Sequence, residues 1–140
     1  MRIIVVEDDN IEADSLVNGL KEKLNADVSV IHTEREFVGT LGSIAEHPPD
    51  LIVLDVMLRW TDPTPDLKIE DIPADVLRDG FYSAGVRCVK RLEADNRTKG
   101  IPVVFYTTLE RNEFGLPITH ITKGEEIDSL AQAIRSKVQR

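Results

Sequence analysis

Five short runs of apolar, mostly β-branched residues recur along the chain and predict β-strands. They are IIVV at 3–6, VSVI at 28–31, LIVL at 51–54, PVVFY at 102–106 and ITHI at 118–121. An unbroken apolar run is typical of a strand that is covered on both faces, because the alternation of polar and apolar residues is lost when neither face meets water. We therefore expect a sheet packed between two layers of helices.

The segments between these runs carry apolar residues at the helical period of three and four positions. This pattern covers residues 10–24, 34–46, 82–95 and 125–138. Thr33 followed by Glu36 is typical of a capping box that begins the second helix, and the prolines at 48–49 end it. Strands that alternate with helices predict βαβ units and a doubly wound α/β fold with a parallel sheet.

Size and charge narrow the class of protein. The chain has 140 residues, the usual size of one compact domain, so we expect a single domain over 1–140. Its net charge of −8 argues against a surface that binds nucleic acid, which needs clustered Lys and Arg.

No apolar run is long enough to span a bilayer, and the N-terminus lacks a secretory pattern, so we expect a cytoplasmic protein without a membrane partner. Cys88 is the only cysteine; we expect a small apolar residue on a helix.

Charged and hydroxyl side chains follow four of the five predicted strands. They are Glu7, Asp8 and Asp9 after the first, Asp55 after the third, Thr107 and Thr108 after the fourth, and Lys123 after the fifth. Ligands of such sheets bind at the carboxyl ends of the strands, so these side chains are expected to meet at one edge. Clustered carboxylates repel one another unless a proton or a cation bridges them, and oxygen ligands suit Mg²⁺.

Phosphoryl transfer is one chemistry that this set of side chains can perform. Asp55 can attack phosphorus and carry the group as an acyl phosphate, while Lys123 supplies a positive charge and Thr107 a hydroxyl donor. Taken singly, each residue also has a plain structural interpretation as a strand end or a surface turn. Asp9 in particular has the position of a residue that begins the first helix, where a negative charge is favourable.

Four stretches, IIVVEDD, PDLIVLDVML, IPVVFYTT and ITKG, resemble in this order the receiver domain of two-component response regulators. The resemblance implies a receiver with a flavodoxin-like five-stranded sheet of strand order 2-1-3-4-5. Since no linker or second domain follows Arg140 in the sequence, we expect this receiver to stand alone. It also implies a phosphohistidine donor on a histidine kinase or a histidine phosphotransfer protein, and an unknown downstream protein target. The only catalysis expected is gain and loss of phosphate at Asp55, so the protein is not an enzyme in the ordinary sense.

The resemblance also implies a role for each residue, position by position. Asp55 is the expected phospho-acceptor, and Lys123 is expected to pair with its carboxylate or its phosphate. Asp8 is expected to bind Mg²⁺ directly, and Glu7 to help through water. The backbone carbonyl of Met57 is expected to provide another metal ligand.

The switch region departs from the family pattern. Thr107 is the expected switch hydroxyl, and His120 stands where the family has an aromatic residue that moves with it. We favour a partly exposed strand residue for His120, with a switch role as the alternative. Gly124 replaces a common proline, and residues 108–117 leave room for about one or two helical turns, so we expect a shortened or missing fourth helix.

A segment of 21 residues, 59–79, follows Leu58, and its last residue belongs to Asp79-Gly80, the pair that ends the corresponding loop in the family. We call residues 59–79 the insertion. One hypothesis makes it a lid or a partner-recognition loop with Trp60 as an anchor. The alternative is a tolerated surface loop, since added loop length costs little free energy.

Two other functions stay open at this point. The first is a phosphorylation-independent interaction module on a receiver scaffold, which the altered fourth-helix region, His120 and Gly124 favour. The second is a Mg²⁺-dependent phosphohydrolase of the haloacid-dehalogenase type, with Glu7 and Asp9 at the spacing of its two carboxylates. That type needs an aspartate nucleophile where this chain has Glu7, which argues against it.

Overall fold

The computed structural model describes residues 1–108, 116–124 and 126–138, which form a three-layer α/β sandwich. Its strands are β1 (Arg2–Val6), β2 (Asp27–Ile31), β3 (Leu51–Leu54), β4 (Val103–Thr107) and β5 (Thr119–Thr122). Its helices are α1 (Asn10–Leu24), α2 (Glu34–Glu46), α3 (Ala74–Asp79), α4 (Ala84–Glu93) and α5 (Ile127–Val138). All strand pairs are parallel, in the order β2-β1-β3-β4-β5, so the predicted fold class and strand order are confirmed.

Alternate residues of the central strands pack on opposite faces of the sheet. Ile3, Val5 and Val53 pack with α1 and α5, whereas Ile4 and Leu54 pack with α2 and α4. All four residues of the run 3–6 and all four of β3 are buried, so the two-sided burial predicted from the apolar runs holds for the centre of the sheet. The edge strands β2 and β5 are less covered, because each has a neighbouring strand on one side only.

Helix caps explain why α1 and α2 have the predicted bounds. Asp9 caps α1, because its Oδ1 accepts hydrogen bonds from the backbone N–H groups of Ile11 (2.9 Å) and Glu12 (3.0 Å). Thr33 caps α2 by accepting from the N–H of Glu36 at 3.1 Å. Thr33 therefore makes its half of the predicted capping box, whereas Glu36 Oε2 accepts from the N–H of His32 at 3.1 Å instead of that of Thr33. Asp9 is the helix-capping residue that its position suggested.

The segment between β3 and α4 contains regular structure that the sequence pattern did not predict. A 3₁₀ turn forms at Ile69–Asp71, and α3 follows it. Gly80 ends α3 with a φ of 72°, a left-handed conformation that glycine adopts without strain. A second 3₁₀ turn at Phe81–Ser83 leads into α4, which begins two residues later than the predicted helix over 82–95.

Two further sequence predictions have different outcomes. Cys88 is fully buried on α4 within the core, as expected for a small apolar residue. The predicted shortened or missing fourth helix between β4 and β5 falls on residues 109–115, which lie outside the described residues. Within the described ranges, every helix is too short or too polar to cross a bilayer.

Candidate functional site

Parallel strand register brings the predicted site residues to one edge of the sheet. Val6 of β1 pairs with Leu54 of β3, so the residues that follow them, Glu7 and Asp55, emerge side by side. The backbone N–H of Asp55 extends this ladder by donating to the carbonyl of Val6 at 3.0 Å. The same ladder places Lys123 beside β4, since its N–H donates to the Thr107 carbonyl at 2.9 Å.

Three carboxylates form the centre of the site. Glu7, Asp8 and Asp55 each place one carboxylate oxygen within 4.8 Å of the others. Glu7 and Asp55 are buried, with 1% and 5% of their surfaces exposed, and Asp8 is partly exposed. Buried charges of one sign need a counter-charge, because water cannot screen them.

Lys123 supplies one counter-charge between two of these carboxylates. Its Nζ donates to Asp55 Oδ2 at 2.8 Å and also contacts Glu7 Oε1. Burial alone would lower the pKa of Lys123, but its contacts with Asp55 and Glu7 raise it. Burial and the Asp55 charge still raise the pKa of Glu7 to about 7, so the single ammonium group leaves the acidic cluster short of positive charge.

The remaining oxygens of the cluster line an open cleft. Asp8 Oδ2 accepts from the N–H of Arg59 at 3.1 Å, and Asp55 Oδ1 accepts from the N–H of Met57 at 3.2 Å. The cleft has a volume of about 380 Å³ and is lined by Glu7, Asp8, Asp9, Glu12, Asp55, Met57, Phe81, Thr108 and Lys123. This all-oxygen donor set and its excess negative charge fit a Mg²⁺ ion, which Glu7, Asp8, Asp55 and the Met57 carbonyl would hold.

The two predicted switch residues, Thr107 and His120, are not among the residues that line the cleft. The Thr107 side chain is fully buried, and it is the next residue, Thr108, that lines the cleft. His120 lies partly exposed in β5, paired with Phe105 of β4. The partly exposed strand position favoured for His120 is therefore what the structure has, and the switch roles of Thr107 and His120 stay predictions.

Sequence reasoning missed two residues that shape the site. Phe81 lines the cleft although it lies 26 positions beyond Asp55, and the only local signal was the preceding Asp79-Gly80 pair. Gly85 lets α4 rest on the backbone of the acceptor loop: a Cβ there would lie 2.6 Å from the Asp55 carbonyl oxygen and 2.6 Å from the Val56 Cα. A lone glycine in a helical pattern gives no such indication from sequence.

Comparison with known proteins adds a fold assignment. No protein-family model and no curated protein sequence matches the chain. The structure is similar to the signal receiver domain of a signal transduction histidine kinase from Syntrophus aciditrophicus (23% identity, TM-score 0.69, covering 99% of this chain and 89% of that one). It is also similar to the signal receiver domain of a DNA-binding response regulator from Colwellia psychrerythraea 34H (19% identity, TM-score 0.69, 100% and 99% covered).

A third similar structure is the receiver domain of a sensor histidine kinase from Pseudomonas aeruginosa PAO1, described with a magnesium ion coordinated in its active-site cleft. It shares 16% identity and a TM-score of 0.67, with 99% of this chain and 98% of that chain covered. At these identities the likeness shows the fold. The chain has the fold of two-component receiver domains, as its four motifs predicted.

Proposed function

We propose that this protein is a phospho-accepting signalling module. Asp55 takes a phosphoryl group from a phosphohistidine of a histidine kinase or histidine phosphotransfer protein, with Mg²⁺, and the change switches a protein–protein interaction. The observation that carries the proposal is the buried Asp55 carboxylate, which is held by Lys123 at 2.8 Å and shares an oxygen cluster with Glu7 and Asp8. The same proposal makes the protein a member of a phosphorelay that operates in the cytoplasm.

The reaction requires only one nucleophile from this chain. A carboxylate oxygen of Asp55 attacks phosphorus, the P–N bond of the phosphohistidine breaks, and the imidazole nitrogen keeps the electron pair and takes up a proton. Water later attacks the phosphorus of the acyl phosphate, which returns the carboxylate and releases inorganic phosphate. In this proposal the only catalysis by the chain is the gain and loss of phosphate at Asp55.

The side chains around Asp55 prepare it for this step. The Lys123 ammonium group and the Met57 N–H hold one carboxylate oxygen each, which fixes the orientation of the nucleophile. Lys123 then offers its positive charge to the phosphoryl oxygens, and Thr108 lines the same cleft. A Mg²⁺ ion held by Glu7, Asp8, Asp55 and the Met57 carbonyl would supply further positive charge to the phosphoryl group.

A partner would find an apolar surface beside the cleft. Phe81 and Tyr82 are exposed by 50% and 60%, and their rings stack with centroids 4.2 Å apart. Phosphorylation adds charge and acceptor oxygens next to Phe81, which changes the surface that a partner contacts. Thr107 and His120 are the proposed residues that respond to the phosphoryl group.

Intact-mass measurement with a small phosphodonor tests the proposal. With acetyl phosphate and Mg²⁺, the wild-type protein should gain the mass of one phosphoryl group, and Asp55→Asn or excess chelator should abolish the gain. Asp14→Asn is the matched control, because Asp14 is an exposed carboxylate on α1 outside the cleft lining. Uptake that survives Asp55→Asn, or no uptake by the wild-type protein from acetyl phosphate or a phosphohistidine donor, would reject it.

A further inference from the structure

The insertion begins by completing the N-terminus of α2. The first backbone N–H groups of a helix have no acceptor within the helix. Here the N–H of Glu34 donates to the carbonyl of Arg59 at 3.0 Å, and the N–H of Arg35 donates to the carbonyl of Trp60 at 2.8 Å. The first two residues of the insertion therefore lie hydrogen-bonded across the start of α2.

A buried ion pair holds the other end of the insertion. The Glu34 carboxylate, which is 0% exposed, accepts from Arg87 Nε at 2.8 Å and from Arg87 Nη2 at 2.7 Å. The same Nη2 donates to the carbonyl of Gly80, directly after the insertion, at 2.8 Å. Glu34 thus holds one end of the insertion through its backbone and the other through Arg87. We call Glu34 and Arg87 the clasp.

Both clasped ends also adjoin the candidate site. Arg59 donates its backbone N–H to Asp8 Oδ2 at 3.1 Å and its Nη2 to the Asp8 carbonyl at 2.7 Å. Phe81, which follows Gly80, lines the cleft, and its carbonyl accepts from the N–H of Leu58 at 3.2 Å. The position of the insertion is therefore linked to two residues that surround Asp55.

Stability alone does not account for a pair of charges at this place. Removing two charges from water costs about as much as their attraction returns, so an apolar pair of similar volume would hold α2 and α4 together equally well. An apolar pair has no directional bonds, whereas Arg87 makes three, and one of them reaches the Gly80 carbonyl. The charged pair therefore fixes the position of the Gly80 carbonyl relative to α2 and α4, which apolar packing would not do.

We propose that Glu34 and Arg87 are positioning residues, whose clasp fixes both ends of the insertion and thereby sets Asp8 and Phe81 at the cleft for the reaction at Asp55. The reaction part rests on the proposed function; the placement of the insertion does not. The clasp makes the insertion an ordered wall of the site at its two ends.

The double variant Glu34→Leu/Arg87→Met tests the clasp, because it removes both charges and leaves neither one buried alone. The control is Lys90→Met, which removes an exposed charge from the same helix. Hydrogen exchange of the Glu34-position and Arg35 amides reports whether the insertion still covers α2. The rate of phosphorylation by acetyl phosphate at saturating Mg²⁺ reports the effect on Asp55, and circular dichroism with a cooperative unfolding transition verifies that each variant is folded.

We expect the two α2 amides of the double variant to exchange about tenfold faster than in wild type, because their acceptors are released. Its phosphorylation rate should fall about fivefold, because a misplaced site residue costs rate without loss of the fold. Lys90→Met should change neither value. Unchanged exchange in the folded double variant, or faster exchange with an unchanged rate, would overturn the positioning role. A wild-type protein that takes up no phosphate would reject the proposed function instead, and the exchange result would then decide the clasp alone.

Discussion

Gly85 packs α4 tightly against the backbone of the proposed phospho-acceptor, and Gly85→Ala tests how closely the two are packed. The added Cβ would lie 2.6 Å from the Asp55 carbonyl oxygen and 2.6 Å from the Val56 Cα. Both are main-chain atoms in a buried segment, so neither can rotate away as the end of a flexible side chain would. The helix must therefore move away from the sheet, or the acceptor loop must shift.

The size of the effect follows from two opposing terms. Overpacking a tight interior costs about 1–3 kcal/mol, and alanine returns at most about 1 kcal/mol through its higher helix propensity. With the full propensity gain, we expect Gly85→Ala to lower the free energy of unfolding by up to about 2 kcal/mol relative to wild type. Relative to an alanine placed at a helical glycine with open space around it, the loss should be about 1–3 kcal/mol. The same movement would weaken the hydrogen bond that the Gly85 N–H donates to the Val56 carbonyl at 2.8 Å.

Urea denaturation of Gly85→Ala beside Gly39→Ala measures this difference. Gly39 lies on the exposed side of α2, and a Cβ there meets no atom within 4 Å. Gly39→Ala should therefore stabilise the protein by up to about 1 kcal/mol. If the Gly85→Ala variant is as stable as the Gly39→Ala variant, α4 does not pack tightly against the Asp55 backbone at Gly85, and the reasoning is refuted.

Two further predictions follow from buried titratable groups. Burial and the Asp55 charge raise the Glu7 pKa from 4.5 to about 7, so the folded protein holds more protons than the unfolded chain between these pH values. The Glu7 contribution to stability is thus fully present below about pH 4.5 and lost above about pH 7. Glu7→Gln should shrink this loss by roughly 3 kcal/mol in Mg²⁺-free denaturation curves. An identical pH slope in both proteins would contradict this prediction. Burial also raises the pKa of the fully buried Cys88 thiol, so iodoacetamide should label Cys88 only through opening of the structure, and rapid labelling of the native protein would show an accessible thiol.

The sequence predicted best those features that depend on nearby residues or on general rules of parallel sheets. The bounds of α1 and α2 follow from apolar periodicity together with Asp9 and Thr33, whose side chains cap nearby N–H groups whatever the rest of the fold does. Glu7 and Asp55 could be placed together because parallel strands end at the same edge of a sheet. These predictions needed no knowledge of distant contacts.

The missed features depend on contacts between distant parts of the chain. Glu34 has the sequence pattern of an ordinary acidic residue in the first turn of a helix, and its partner Arg87 lies 53 positions away. The charged, proline-containing insertion gave no helical period, yet α3 forms in it, with Val76 buried. Thr107 is buried and Thr108 is exposed because β4 ends at Thr107. Two adjacent threonines in a sequence do not reveal which of them is the last residue of the strand.

Chemical location of the phosphoryl group tests the proposed role of Asp55 most directly. Borohydride reduces an aspartyl phosphate to homoserine, so reduction after incubation with acetyl phosphate and Mg²⁺, followed by peptide mass mapping, identifies the modified residue. We predict conversion of Asp55 to homoserine, dependent on Mg²⁺, with Asp8 and Asp9 unchanged. Conversion at another aspartate, or a protein left unmodified at position 55 in the presence of Mg²⁺, would contradict a phospho-accepting role for Asp55.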